Sequence, residues 1–241
     1  MDRYFEFGDN GLPIKNTTCA KRHCTNEIKG CLGDDICRDD LMCAAGCWMN
    51  ATCTFTCSES YITPNYDAMM KCLIVDHECF SLPPPDAYNN ATCRDPSDAA
   101  LSLDDNPFDG DWYVIQGYNP TYDCFDCAKQ HFDTTGDEVD YSALFNMLSV
   151  NGTEMWKSSS YVGSKSSDKT IYLATEDFGL TDEQTWYAMY KTEDTLVTYY
   201  CGSVMSWHFE GLLVMSKTTT LNQERAADVQ AIVESLGFTE D

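Results

Sequence analysis

Positive charge is scarce in this sequence: 15 lysines and arginines stand against 39 aspartates and glutamates, for a net charge of −24. A chain this acidic cannot track a phosphate backbone, which removes nucleic acid from the partners, and anionic lipid headgroups are disfavoured for the same reason. Long apolar runs are missing as well. No stretch reaches 18 consecutive apolar residues, so no segment reads as a bilayer-spanning helix. Histidine is sparse, with four residues (His23, His77, His131, His208) scattered along the chain, so no metal site is expected. The opening thirty residues lack a basic-then-apolar leader pattern, and the chain is expected to be a mature one. There is no internal repeat.

Cysteine is what the sequence has in excess. Of 14 cysteines, 11 fall between Cys19 and Cys93, a density that oxidising compartments favour and reduced ones rarely tolerate. Disulfides are expected, because the cysteines lack companion histidines at zinc spacing. The steps from Cys19 through Cys24, Cys31, Cys37 and Cys43 to Cys47 suit neighbouring turns of short helices. Thr63-Pro64 marks a helix start, with Thr63 as cap, and Cys72 and Cys79 are expected two turns apart along one helical face. Residues 15–82 thus read as a cysteine-rich helical domain in which cross-links replace much of the core.

Residues 83–107 read as a linker, stiffened by Pro83-Pro84-Pro85 and broken by Asp95-Pro96 and Asn106-Pro107. Residues 108–241 change character to short alternating runs such as Trp112–Gly117, Tyr141–Val150, Thr185–Tyr190 and Leu196–Tyr200. About eight such runs without intervening helices argue an antiparallel barrel or sandwich. Thr220-x-x-Gln223 has the form of a capping box, and Val229, Ile232, Val233 and Leu236 make one helical stripe that ends at Gly237. That helix should lie on the outer wall of the barrel. Four N-x-T sequons (Asn16, Asn50, Asn90, Asn151) carry little weight in a chain rich in Asn and Thr.

Gly110-Asp111-Trp112 has the form of the lipocalin G-x-W signature. The stretch Phe108-Asp109-Gly110-Asp111-Trp112-Tyr113, then Asn119-Pro120-Thr121-Tyr122-Asp123 and Phe125-Asp126-Cys127, closely resembles violaxanthin de-epoxidase. The cysteine ladder from Cys19 to Cys79 follows the register of that family, and Trp186-Tyr187, Tyr199-Tyr200 and Trp207 fall at similar positions. The resemblance implies an α+β architecture: a small disulfide-rich helical domain before an eight-stranded antiparallel lipocalin β-barrel with a C-terminal helix. It also implies the pairs Cys19–Cys37, Cys24–Cys31, Cys43–Cys57, Cys47–Cys53 and Cys72–Cys79. Cys127 lacks the C-terminal partner the family gives it. A bridge from Cys124 or Cys127 to Cys201 is therefore expected, with Cys93 available to the other thiol, while Cys124 and Cys127 should not bridge each other.

Family resemblance further implies a xanthophyll substrate, ascorbate as co-substrate where the reaction is a reduction, no bound cofactor, and a chloroplast setting in the thylakoid lumen. Transient partners would be the thylakoid membrane surface or a pigment–protein complex. Opening an epoxide needs a proton donor inside an apolar tunnel, where burial raises a carboxyl pKa. At the position where the de-epoxidases have a suspected acid, two residues before Trp186, this chain has Gln184, which cannot supply a proton. The family's activation histidines fall at Gln130 and Asp133, and a family glutamine falls near Tyr161.

Asp123, Asp126, Tyr200 and His208 are therefore the candidate catalytic groups, and Gln184, Trp186, Trp207 and Tyr161 the candidate pigment contacts. Each has a plainer description: aspartates that bond a turn, barrel-wall aromatics, a surface histidine. The expected function is xanthophyll-epoxide processing, with isomerisation favoured over ascorbate-dependent de-epoxidation. The alternatives are a carotenoid-binding lipocalin without catalysis, as a carrier or as a peripheral subunit of a photosynthetic pigment–protein complex, or an ascorbate-using reductase of other lipid epoxides.

Overall fold

The structure is a computed structural model that describes residues 17–47, 50–79, 93–104, 106–177, 179–204 and 207–238. The chain forms two compact units. The first holds the cysteine-rich helices together with residues 176–182 and 204–208, and the second holds the remainder from residue 92 onward.

Five helices build the first unit: α1 (Thr17–His23), α2 (Thr25–Gly33), α3 (Asp35–Gly46), α4 (Ala51–Tyr61) and α5 (Pro64–Met70). Short polar residues start them. Asp34 accepts from Ile36 N and Cys37 N at the head of α3, and Asn50, a sequon residue, accepts from Cys53 N at the head of α4. Thr63 caps α5 through Tyr66 N with Pro64 in the first turn, as the sequence suggested. A π-helical stretch, Lys71–Asp76, follows directly. The buried core is largely sulfur: Cys24, Cys31, Cys37, Cys72 and Cys79 pack with Tyr66, Met69, Leu73, Ile74 and Leu180.

The disulfide scheme departs from the expected one. Cys43–Cys57 and Cys47–Cys53 are as anticipated, but the other three pairs are Cys19–Cys79, Cys24–Cys72 and Cys31–Cys37. Cys72 and Cys79 cannot share a face, because the π-helical stretch between them breaks the 3.6-residue repeat and ends at Asp76. They reach instead to the start of the domain, closing separations of 48 and 60 residues.

Eight strands form the second architecture: β1 (Gly110–Gly117), β2 (Asp126–Thr135), β3 (Glu138–Leu148), β4 (Glu154–Lys165), β5 (Thr170–Asp177), β6 (Leu180–Lys191), β7 (Thr195–Val204) and β8 (Trp207–Ser216). They close into a barrel in which each strand pairs with its sequence neighbour and β1 pairs antiparallel with β8. Trp112 is fully buried at the base of β1, donates its indole N–H to Phe108 O at 2.7 Å, and lies under the ammonium groups of Lys217 and Lys191 at 3.6 and 4.3 Å.

A 3₁₀ turn (Gln223–Arg225) leads into α6 (Ala226–Ser235), and its cap is Asn222, which accepts from Glu224 N, rather than the expected Thr220 box. Val229 and Val233 bury against Val197, Tyr199, Cys201, Leu212 and Val214, so α6 covers the outward face of β7 and β8. Gly237, at φ 74°, closes the helix with bonds from Gly237 N to Glu234 O and from Phe238 N to Val233 O.

The expected linker is only partly one. Residues 80–92 lie outside the described residues, but 93–104 belong to the barrel unit, with Leu101 N bonded to Ala188 O and Leu103 N to Asp168 O. Arg94 N donates to Tyr199 Oη at 2.8 Å on the outward face of β7. This placement brings Cys93 to Cys201, and the bridge is Cys93–Cys201. The expected link from Cys124 or Cys127 to Cys201 does not form, because β7 neighbours β6 and β8 and not the first strands. Cys124 and Cys127 are free and exposed.

Candidate active site inside the barrel

Alternation decides which residues face inward. On β7, Val197, Tyr199 and Cys201 pack outward under α6, so Leu196, Thr198, Tyr200 and Gly202 point into the barrel. On β6 the same alternation turns Gln184, Trp186 and Ala188 inward.

Asp123 reaches this interior from the β1–β2 connection. Asn119 begins a tight turn whose carbonyl accepts from Tyr122 N and Asp123 N, and whose side chain donates to Glu210 O on β8. The turn folds Asp123 back over Gly117, where there is no room for a Cβ. One carboxylate oxygen, Oδ2, accepts from Asn119 N at 2.9 Å. The other, Oδ1, accepts from the phenol of Tyr200 at 2.6 Å. The aspartate therefore bonds its own turn, the plainer of its two expected roles, and with its other oxygen meets Tyr200, a contact the sequence did not suggest.

Burial dominates the electrostatics. Removal from water pushes the Asp123 carboxyl up to about 7 against the opposing hydrogen bonds from Tyr200 and the turn backbone. Tyr200 is raised well above the ordinary phenol range, first by burial and then by the Asp123 carboxylate beside it. The pair is a hydrogen-bonded dyad that holds a proton at mildly acidic pH.

Rings surround it. Trp186 stacks on Tyr200 with centroids 5.0 Å apart and touches Tyr141 and Phe132 at 5.4 and 5.7 Å. Tyr141 lies 5.3 Å from Tyr161. Gln184 is fixed between two of these groups: its Oε1 accepts from Trp186 Nε1 at 2.8 Å and its Nε2 donates to Tyr161 Oη at 3.3 Å. Tyr161 thus stands beside Gln184, and Gln184 works as a spacer that sets the indole and the phenol. Gly211 on β8 leaves space for the Tyr200 ring, since a Cβ there would run into its Oη, Cζ and Cε1.

Two candidates are not part of this assembly. Asp126 is exposed at the start of β2, where the pairing with β3 bulges between Asp126 and Lys129 and Cys127 takes φ 54°. His208 is exposed. The side chain of Trp207 lies outside the described residues. Asn119 and Gly211 were not singled out from the sequence, although the Asn-Pro-Thr turn and a glycine within a strand were their signals.

Residues 16–241 match the family described as the VDE lipocalin domain. The chain is 22% identical over 236 residues to chloroplastic violaxanthin de-epoxidase of Arabidopsis thaliana, an alignment covering 93% of this chain and 50% of that protein. The Nicotiana tabacum protein of the same name is 21% identical over 235 residues, covering 93% and 48%. The chain therefore spans about half the length of the curated relatives it matches. Similar solved structures include lobster apocrustacyanin A1 (12% identity, 56% of this chain and 74% of that one, TM-score 0.42). Odorant binding protein OBP1 is another (16% identity, 58% and 90%, TM-score 0.44). With the family match running over nearly its whole length, the chain belongs to the VDE lipocalin domain family.

Proposed function

We propose that this protein opens and rearranges the epoxide ring of a xanthophyll held inside the barrel, in a chloroplast setting like that of its named relatives, and that Asp123 and Tyr200 carry the proton. The observation that supports this most is the buried 2.6 Å hydrogen bond between a carboxyl raised to about 7 and an inward tyrosine. Protonated Asp123 donates to Tyr200 Oη, and the Tyr200 O–H donates to the ring oxygen as the C–O bond breaks. The positive charge left on carbon spreads along the conjugated chain, against the faces of Trp186 and Tyr141. Loss of a proton from the adjacent carbon back to the dyad completes an isomerisation. Atoms and electrons balance without a reductant. Gln184, already committed to Trp186 and Tyr161, takes no part in proton transfer.

The test is incubation with violaxanthin at pH 5 and pH 7, with and without ascorbate, followed by chromatography and mass measurement. A product of unchanged mass is expected, forming faster as pH falls through about 7, because the dyad is loaded only when Asp123 is protonated. Asp123→Asn and Tyr200→Phe should each slow turnover by about 100-fold, a general-acid contribution, while pigment still binds. Loss of an oxygen that depends on ascorbate would make the protein a de-epoxidase instead. Pigment bound but unaltered under every condition would make it a carrier.

A further inference from the structure

The polar groups inside the barrel are not equally occupied. The indole of Trp186, the amide of Gln184 and the phenol of Tyr200 are each hydrogen-bonded to partners inside the barrel. Two others do not. Gln130 is 7% exposed, and no donor among the described residues meets its Oε1. Thr198 is fully buried, and its Oγ1 has no partner among the described residues. Both face inward by strand alternation. Gln130 is two residues from Phe132, whose ring touches Trp186, and Thr198 is two residues from Tyr200. A buried hydrogen-bonding atom left empty costs free energy, and natural cores keep few of them. Placed in a barrel lined with aromatic rings, an acceptor and a hydroxyl of this kind are suited to a ligand that is apolar along its length and carries alcohol groups.

We propose that Gln130 and Thr198 are specificity-determining residues that read hydroxyl groups of the barrel ligand, with Gln130 Oε1 accepting an alcohol proton and the Thr198 hydroxyl exchanging a hydrogen bond with a ligand oxygen. The inference rests on the reading that the barrel holds an elongated apolar pigment, and adds how that pigment is distinguished from a plain hydrocarbon. A hydrocarbon of the same shape leaves both polar atoms empty, whereas an alcohol fills them. Discrimination by a buried polar group left unpaired is typically strong. Replacing Gln130 by leucine, or Thr198 by the isosteric valine, removes the unpaired atom and with it the preference.

The experiment compares two carotenoids of one skeleton, the diol zeaxanthin and the hydrocarbon β-carotene, titrated by quenching of tryptophan fluorescence at fixed detergent concentration. The intact protein should bind the diol at least about tenfold more tightly. Gln130→Leu and Thr198→Val should each weaken diol binding by about tenfold and leave the hydrocarbon within about twofold. Melting temperatures of the ligand-free variants provide a second reading: they should equal or exceed that of the parent, since each variant loses an unsatisfied buried group. Equal affinity for diol and hydrocarbon, or a parallel loss of both in the variants, overturns the inference while leaving the pigment-binding barrel in place. A lower melting temperature without ligand overturns it too, because the side chain would then be structural. Failure of the parent to bind either pigment overturns both.

Discussion

Tyr200 owes its position to an absence on the neighbouring strand. Gly211 lies against the ring, and any side chain there would occupy the volume of the phenol. Gly211→Ala should therefore push Tyr200 off Asp123 and lower turnover about as much as Tyr200→Phe, even though alanine carries no chemistry of its own. Near-UV circular dichroism checks the displacement, since the stacked Trp186–Tyr200 pair should lose its signal. Retained dichroism together with retained activity would show that the ring has room elsewhere. The same dependence on neighbours explains what residue-level reading could find. Asp123 and Tyr200 were legible because a turn motif and a family tyrosine pointed to them. Their pairing was not, because 77 residues separate them and only the barrel brings them together. His23 and His77 were likewise hidden: far apart in sequence, their rings stack at 4.5 Å.

Among the elements, α3 and α5 hold an acidic pair that the barrel chemistry does not use. Asp40 on α3 is fully buried, and neither of its carboxylate oxygens has a partner among the described residues. Burial, with added repulsion from Asp67 on α5, raises its carboxyl to about 7. Burial raises Asp67 in the same direction. A folded-state pKa above the unfolded one favours the folded state when the group is protonated. The stabilisation is complete at low pH and is lost as pH climbs through about 7. Asp40→Asn should abolish that loss, raising stability at pH 8 by about 3 kcal/mol and leaving it unchanged at pH 4. Urea unfolding at both pH values measures it, and an unaltered pH profile in the variant would exclude Asp40 as the source. Elements themselves were the most legible level. Strand alternation predicted an antiparallel barrel or sandwich, which the family resemblance narrowed to a barrel, and the Val229–Leu236 stripe predicted the covering helix, because period-2 and 3.6-residue patterns are local. The π-helical stretch at Lys71–Asp76 has no such signature, and the shared helical face expected for Cys72 and Cys79 failed with it, as did the Cys72–Cys79 pair that the resemblance implied.

For the molecule as a whole, the corrected pairing changes where stability resides. Cys19–Cys79 and Cys24–Cys72 close separations of 60 and 48 residues, whereas Cys31–Cys37 closes only 6. In the chain-entropy account, the long closures restrict the unfolded chain by about 4 kcal/mol each and the short one by about 2. Removing Cys24 and Cys72 together as serines should therefore lower the thermal midpoint of the helical unit more than removing Cys31 and Cys37. The opposite order in calorimetry would mean that local strain outweighs chain entropy. The barrel distributes its own closure differently. Every strand lies beside its sequence neighbour except for one contact, β1 with β8. Successive hairpins can form quickly, each over a short loop, and nearly all of the long-range ordering is deferred to one late event. The seam where Tyr113 and Val114 meet Ser216 and Met215 therefore carries the largest loop-closure cost in the barrel, and is expected to be the last of its eight pairings to form.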